Sequence, residues 1–233
     1  ISVNADIKGD LNSVCITGMA NLDKSSINYR NLFSKPRDSN LRLNTVAALQ
    51  KDLFKIEEMD LTLDNSIVKI TGEIRDFEHP KPCLDIRMAE VRLEEVKKVI
   101  PFLREANISG NVDMAASIKD TASGIVTEGR INIADFTSGK VKIKDLNANL
   151  ELYGGELKLK EIKGGLYGGS INGSIDISFK EHPIRYSSKV TISEVDMEEL
   201  LKGISSTRYK AKGKVNGAAY FHGDSLELKN LNG

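Results

Sequence analysis

Leu146-Asn147-Ala148-Asn149-Leu150-Glu151-Leu152-Tyr153-Gly154-Gly155-Glu156-Leu157-Lys158-Leu159-Lys160 is the stretch on which the fold of this chain is read. Leu146, Ala148, Leu150 and Leu152 alternate with Asn147, Asn149 and Glu151, and Leu157 and Leu159 alternate with Lys158 and Lys160. A period of two puts one set of side chains on each face of a sheet, so both runs read as strands with one apolar and one wet face. Gly154-Gly155 suits a two-residue primed turn, whose positive φ values glycine reaches without a Cβ clash. The same alternation recurs at 61–63, 67–74, 131–133, 171–179 and 190–192. The expected fold is mainly β, with tandem antiparallel meander units forming a long twisted sheet or groove, or a β-sandwich-like array.

Short helices interrupt the strands. Leu93, Val96, Ile100 and Leu103 recur at helical spacing, as do Met197, Leu200, Leu201 and Ile204. Asp196 is placed to cap the second helix, with Glu199 as its capping-box partner, whereas Arg92 is a poor cap for the first. Pro101 is expected to end or kink the first helix. A further helix is expected over 46–52. The two helices belong to an internal repeat: 90–96 (EVRLEEV) matches 194–200 (EVDMEEL) at a spacing of 104, Glu78-His79-Pro80 answers Glu181-His182-Pro183, and Gly110 answers Gly213. Each unit reads as a meander, a His-Pro turn, one more strand and a short helix. This gives one unit over 1–104, a second over 105–204 and the start of a third over 205–233. The Gly154-Gly155 hairpin has no counterpart in the first unit, so the copies read as unequal. Stretches 34–40, 120–124 and 205–207 read as loops.

A chain of 233 residues with 40% hydrophobic content can bury a core. Its 33 Lys and Arg cancel 33 Asp and Glu, so no net field draws it to nucleic acid, and membrane contact would have to be apolar or local. Aromatics are 6% with no Trp, which leaves few stacking platforms for bases or sugars. No run approaches a membrane span and no signal segment is present. The chain opens at Ile1 and stops just after the strand-like 225–228, so it reads as a fragment whose signal or anchor lies elsewhere. Cys15 and Cys83 read as two buried thiols or one disulfide, the former being the commoner use.

No chemistry stands out. The run Gly164-Gly165-Leu166-Tyr167-Gly168-Gly169-Ser170 has Ser170 where a phosphate loop needs Lys, and a strand follows instead of a helix, so its glycines read as turn and bulge residues. His79, His182 and His222 form no metal-binding pattern, and the two that precede Pro are explained by an extended turn. Glu94-Glu95 and Glu198-Glu199 sit in first helical turns, where the dipole favours negative charge. Adjacent helical residues point about 100° apart, so neither pair converges as an acid/base couple would. No catalytic residues, metal or cofactor are expected.

The aliphatic strand face remains, with Leu146, Ala148, Leu150, Leu152, Leu157, Leu159, Ile171, Ile175, Ile177, Val190 and Ile192 as its clearest members. It reads either as the core of a closed sandwich or as an open groove able to hold acyl chains.

The segment 166–177 (LYGGSINGSIDI), then Pro183 and Val195-Asp196-Met197-Glu198-Glu199-Leu200-Leu201, resembles the C-terminal region of the AsmA-like family of bacterial envelope proteins. The resemblance rests on Tyr167, Gly168, Gly169, Gly173, Asp196, Leu200 and Leu201, is strongest over 146–201, and finds a weaker copy over 61–103 that lacks Tyr-Gly-Gly. It implies a long hydrophobic β-groove in the periplasm, anchored to the inner membrane by an N-terminal helix absent from this sequence. It implies as well a part in moving phospholipid, or another acyl-chain lipid, toward the outer membrane, with other envelope proteins as further partners. A structural scaffold or assembly factor built from closed β-sandwich repeats is the alternative.

Overall fold

A computed structural model describes residues 1–10, 12–29, 33–180, 183–204 and 211–223. The described residues contain one antiparallel sheet of 14 strands that does not close into a barrel, and a separate two-stranded hairpin. By contacts the chain divides into two compact units, Ile1–Val91 with Glu95–Arg104 and Asp113–Gly129, and Arg92–Glu94 with Glu105–Val112 and Arg130–Gly233.

In the first unit β1 (Ser2–Gly9) and β2 (Ser13–Asn21) form a hairpin. An excursion carrying the separate hairpin β3 (Ile27–Tyr29) and β4 (Phe33–Lys35) leads back to the sheet. There β5 (Leu41–Gln50), β6 (Leu53–Leu63), β7 (Ser66–Arg75) and β8 (Lys81–Arg92) follow one another as antiparallel neighbours. The chain continues through α1 (Leu93–Val99), a 3-10 turn at Pro101–Leu103, β9 (Ile108–Ser109), β10 (Asn111–Thr121) and β11 (Gly124–Ser138). In the second unit β12 (Val141–Tyr153), β13 (Glu156–Leu166), β14 (Gly169–Ser178) and β15 (Arg185–Asp196) form the meander. Then come α2 (Met197–Ile204) and β16 (Lys214–Gly223), which pairs back onto β15. Of the three expected loops, 34–40 begins with the end of β4, 120–124 is a tight turn between β10 and β11, and 205–207 lies outside the described residues, as do Glu181, His182 and 225–228.

The hairpin read from Gly154-Gly155 is present: Tyr153 pairs with Glu156, and the two glycines have φ of 56° and 79°. The helix expected over 46–52 is not. Residues 46–50 lie in β5, hydrogen-bonded to β2 on one side and β6 on the other, and Lys51-Asp52 is the turn between Gln50 and Leu53. Ladders on both sides outweigh the helical spacing of this short run. That turn is the counterpart of Gly154-Gly155 in the first unit, which corrects the reading that the hairpin has none. Asp76 N–H donates to Asp52 O at 3.0 Å, as Phe179 N–H donates to Gly155 O at 2.8 Å.

Further hydrogen bonds recur at the repeat spacing. Glu90 N–H donates to Asp113 Oδ1 and Glu194 N–H to Asn216 Oδ1, both at 2.8 Å. Leu93 N–H donates to Gly110 O at 2.9 Å and Met197 N–H to Gly213 O at 3.0 Å, so a glycine carbonyl receives the first N–H of each helix. Asp196 caps α2, its Oδ1 accepting from Glu199 N–H at 3.1 Å. The reciprocal half of the expected capping box does not form: Asp196 N–H is taken by Tyr167 O, and the Glu199 carboxylate meets Lys202 at 2.9 Å.

Five strands switch the parity of their apolar residues midway, and a bulge absorbs each switch. In β13 the apolar set runs Leu157, Leu159 and then Ile162, with Glu161 at φ 51° between them. Glu90, Asp145 and Glu194 stand likewise at positive φ just before Val91, Leu146 and Val195, and β6 carries a register shift between Ile56 and Met59. One extra residue keeps the apolar set on one face and increases local twist.

Candidate functional site

Directly opposed residues in antiparallel strands share a face, so the registers define the apolar surface of each unit. In the second unit one rung runs Leu152, Leu157, Ile177, Tyr186 and Gly223, and the next Leu150, Leu159, Ile175, Ser188 and Phe221. Two more contain Ile162, Gly173, Val190 and Ala219, and Gly164, Ile171, Ile192 and Gly217. Ala148 lies on the same side, between Asn147 and Asn149, which oppose Lys163 and Lys160 on the other. All eleven aliphatic residues singled out in the sequence therefore share one face. Leu152 is 37% exposed and the other ten are half-buried. No second large sheet covers this face within the unit among the described residues.

The helix divides the face. Ile143, Leu166 and Val195 form a buried cluster, with Leu146, Ile171, Ile192, Val215 and Leu200 of α2 packed against it. Three of the eleven residues thus belong to the packed end, and the other eight lie outside this cluster.

The Tyr-Gly-Gly segment builds that packed end. Tyr167 and Gly168 are the two-residue turn between β13 and β14, both at positive φ. The Tyr167 hydroxyl donates to Lys140 O at 3.3 Å and accepts from Lys142 N–H at 3.4 Å. A Cβ on Gly203 of α2 would lie 2.5 Å from that hydroxyl, so the helix rests on the tyrosine through a residue without a side chain. Gly164 leaves room beneath the cluster, since a Cβ there would come within 2.6 Å of Ile143 Cγ2. The seven residues that carried the family resemblance are thus turn, cap, strand and packing residues.

The first unit carries an equivalent face that sequence reasoning did not single out. One rung runs Val3, Ala20, Leu43, Leu61, Val68 and Met88 across six strands, and a parallel one Ile7, Ile16, Ala47, Ile56, Gly72 and Leu84. The alternation Pro82, Leu84, Ile86, Met88 was the available signal. It was masked by the helical reading of 46–52 and by the parity switch in β6.

Position 64 is where the missing Tyr-Gly-Gly falls. Asp64 occupies the turn before β7 at φ 51°, and its carboxylate accepts from Asn40 N–H at 2.9 Å and pairs with Lys98 of α1 at 2.8 Å. A charged tie thus stands where Tyr167 stands in the other copy. Burial pushes the Asp64 carboxyl up, but Lys98 and the Asn40 N–H, helped by Lys35, outweigh it and hold it below the usual carboxylate range. The Lys35 ammonium is itself fully buried, donating to the carbonyls of Asp23, Ser25 and Pro36 at 3.2, 2.8 and 2.9 Å.

The opposite face of each unit is polar. Cys15 and Cys83 lie on it, exposed and unbonded, which corrects the buried-thiol reading. They stand on one rung with three strands between them, roughly 19 Å apart at the usual strand spacing, far beyond disulfide reach. Among the described residues no group of three or more His, Cys, Asp or Glu could hold a metal, and no helix is long and apolar enough to cross a membrane.

A family model described as the AsmA family matches residues 19–233, and the chain belongs to that family, which places it among envelope-associated AsmA-like proteins. Searches of curated proteins and of solved structures find no match.

Proposed function

We propose that this AsmA-family chain holds phospholipid acyl chains against the apolar face of its sheet, as a non-catalytic segment of a periplasmic path between inner and outer membranes. The observation that carries this reading is the set of aliphatic rungs centred on Leu150, Leu159 and Ile175 and on Leu152, Leu157 and Ile177. They share one face, remain half-exposed, and among the described residues are not covered by a second large sheet in their unit. Apolar surface removed from water contributes about 25 cal/mol per Å2, so a chain lying along such rungs is retained. An aliphatic surface without directional partners presents little barrier to sliding.

A photoreactive amino acid at Leu150 or Ile175 is expected to capture phospholipid in cells, and one at Lys160 on the polar face is not. Capture of protein neighbours alone, with no phospholipid in the purified protein by mass spectrometry, would move the reading to an envelope scaffold.

A further inference from the structure

The four apolar rungs of the second unit contain two polar side chains, Tyr186 and Ser188, and both belong to β15. Tyr186 stands between Ile177 and Gly223, and Ser188 between Ile175 and Phe221. Two positions apart on one strand, they share the apolar face, with Cα atoms roughly 6.8 Å apart. Both residues are half-buried, and among the described residues neither hydroxyl has a hydrogen-bond partner. A Cβ on Gly223 would lie 2.8 Å from the Tyr186 hydroxyl and from ring atom Cε1, so the bare glycine is what lets the ring reach over the neighbouring strand β16.

The first unit does not repeat this pair. Gly72-Glu73-Ile74 and Gly173-Ser174-Ile175 match in the repeat, but Ile74 is opposed by Pro82 where Ile175 is opposed by Ser188. The two hydroxyls are thus a local departure from an aliphatic face and not a product of strand alternation.

A methylene chain laid over them would take both hydroxyls out of water and offer no acceptor, and a polar group covered without a partner is destabilising. A carbonyl oxygen removes that cost. An ester-linked glycerolipid carries two, where its chains join the glycerol. We propose that Tyr186 and Ser188 donate to the ester carbonyls of a diacyl glycerophospholipid and so fix its register on the face. The linkage lies over β15, and the chains extend across β14, β13 and β12, a span of roughly 14 Å at the usual strand spacing, over Ile177, Leu157 and Leu152 and over Ile175, Leu159 and Leu150. The proposal rests on the reading of this face as an acyl-chain surface, and makes β15 a resting point along it.

Linkage chemistry tests the register. A leucine-sized diazirine amino acid at Leu157 of the intact protein is illuminated with vesicles of phosphatidylglycerol whose chains are joined by ester bonds or, at equal length, by ether bonds, which lack the carbonyl, and captured lipid is read by mass spectrometry. The ester lipid is expected to be captured about fivefold or more over the ether lipid, and Tyr186→Phe with Ser188→Ala to bring the ratio to about one. Capture of the ether lipid is expected to stay unchanged in that double variant, which shows that its fold is intact. Ser187→Ala, one residue away on the polar face, is expected to leave the ratio as in the parent protein. Equal capture of both lipids by the parent, an ester preference that survives in the double variant, or an equal fall in Ser187→Ala overturns the proposal and leaves the surface reading. No capture of either lipid sinks both.

Discussion

Thr45 lies in an apolar rung of the first unit, between Gly18 and Met59, and among the described residues its buried hydroxyl has no hydrogen-bond partner. An unsatisfied buried hydroxyl costs free energy that an isosteric methyl group does not. Thr45→Val is expected to stabilise the protein by about 1 kcal/mol in urea unfolding, and a loss of stability would mean that the hydroxyl has a partner in solution. Glu95 is the opposite case, a buried carboxylate with both neighbours donating to it. The acidic residues of the first helical turn looked like surface dipole partners in the sequence, and Glu199 is one. Glu95 differs because its copy has Asn65 and Ser66 where the second copy has Gly168 and Gly169. A two-residue change across the repeat thus converts a solvated charge into a buried tie, which periodicity alone does not reveal. Cys15 and Cys83 teach a similar lesson: a small, mildly apolar side chain suits either face, and only the register assigns it to the polar one.

At the scale of elements, turns and caps were legible where their chemistry is local. Gly154-Gly155 needs two positive φ values and Asp196 needs only the N–H three residues on, so both were readable from neighbours in sequence. Asp196→Ala is expected to cost about 1 kcal/mol, seen as a lowered thermal midpoint, because it leaves the Glu199 N–H without its acceptor. Gly155→Val, at φ 79°, is expected to cost about 1–2 kcal/mol, chiefly through backbone strain. β5 was misread because its structure depends on partners far along the chain. Ala47 is 2% exposed between Ile16 and Ile56, and neither neighbour lies within the window in which helical and strand periods are compared. The bulges belong to the same class: parity switches such as Leu159 to Ile162 are written in the sequence, but they become meaningful only against a neighbouring strand.

At the scale of the whole molecule, the repeat makes equivalent positions comparable and shows which differences respond to conditions. In the first copy Asp64 ties turn, loop and helix through charge, and its carboxyl is held below the usual range. A carboxylate of that kind contributes stability above the unfolded-state value of about 4, and the contribution is lost as pH falls through the lower folded value. Asp64→Asn is therefore expected to lower the thermal midpoint at neutral pH, with the gap from the parent protein closing below about pH 4. A gap that persists in acid would show that the tie is not ionic. Tyr167 makes the corresponding tie in the second copy without a carboxylate, so Tyr167→Phe is expected to show no such pH dependence. By itself the sequence determined the strand-rich class, the apolar alternation, the Gly-Gly hairpin, both helices, the repeat spacing and the family, because each depends on residues close together or on patterns matched along the chain. Only the tertiary structure decided that the eleven aliphatic residues share one face, that three of them lie under α2, that an equal face spans the first unit, and that the two helices are fastened differently. These depend on which residues of distant strands stand opposite each other, and register is set by cross-strand hydrogen bonds, bulges and packing that no single segment encodes.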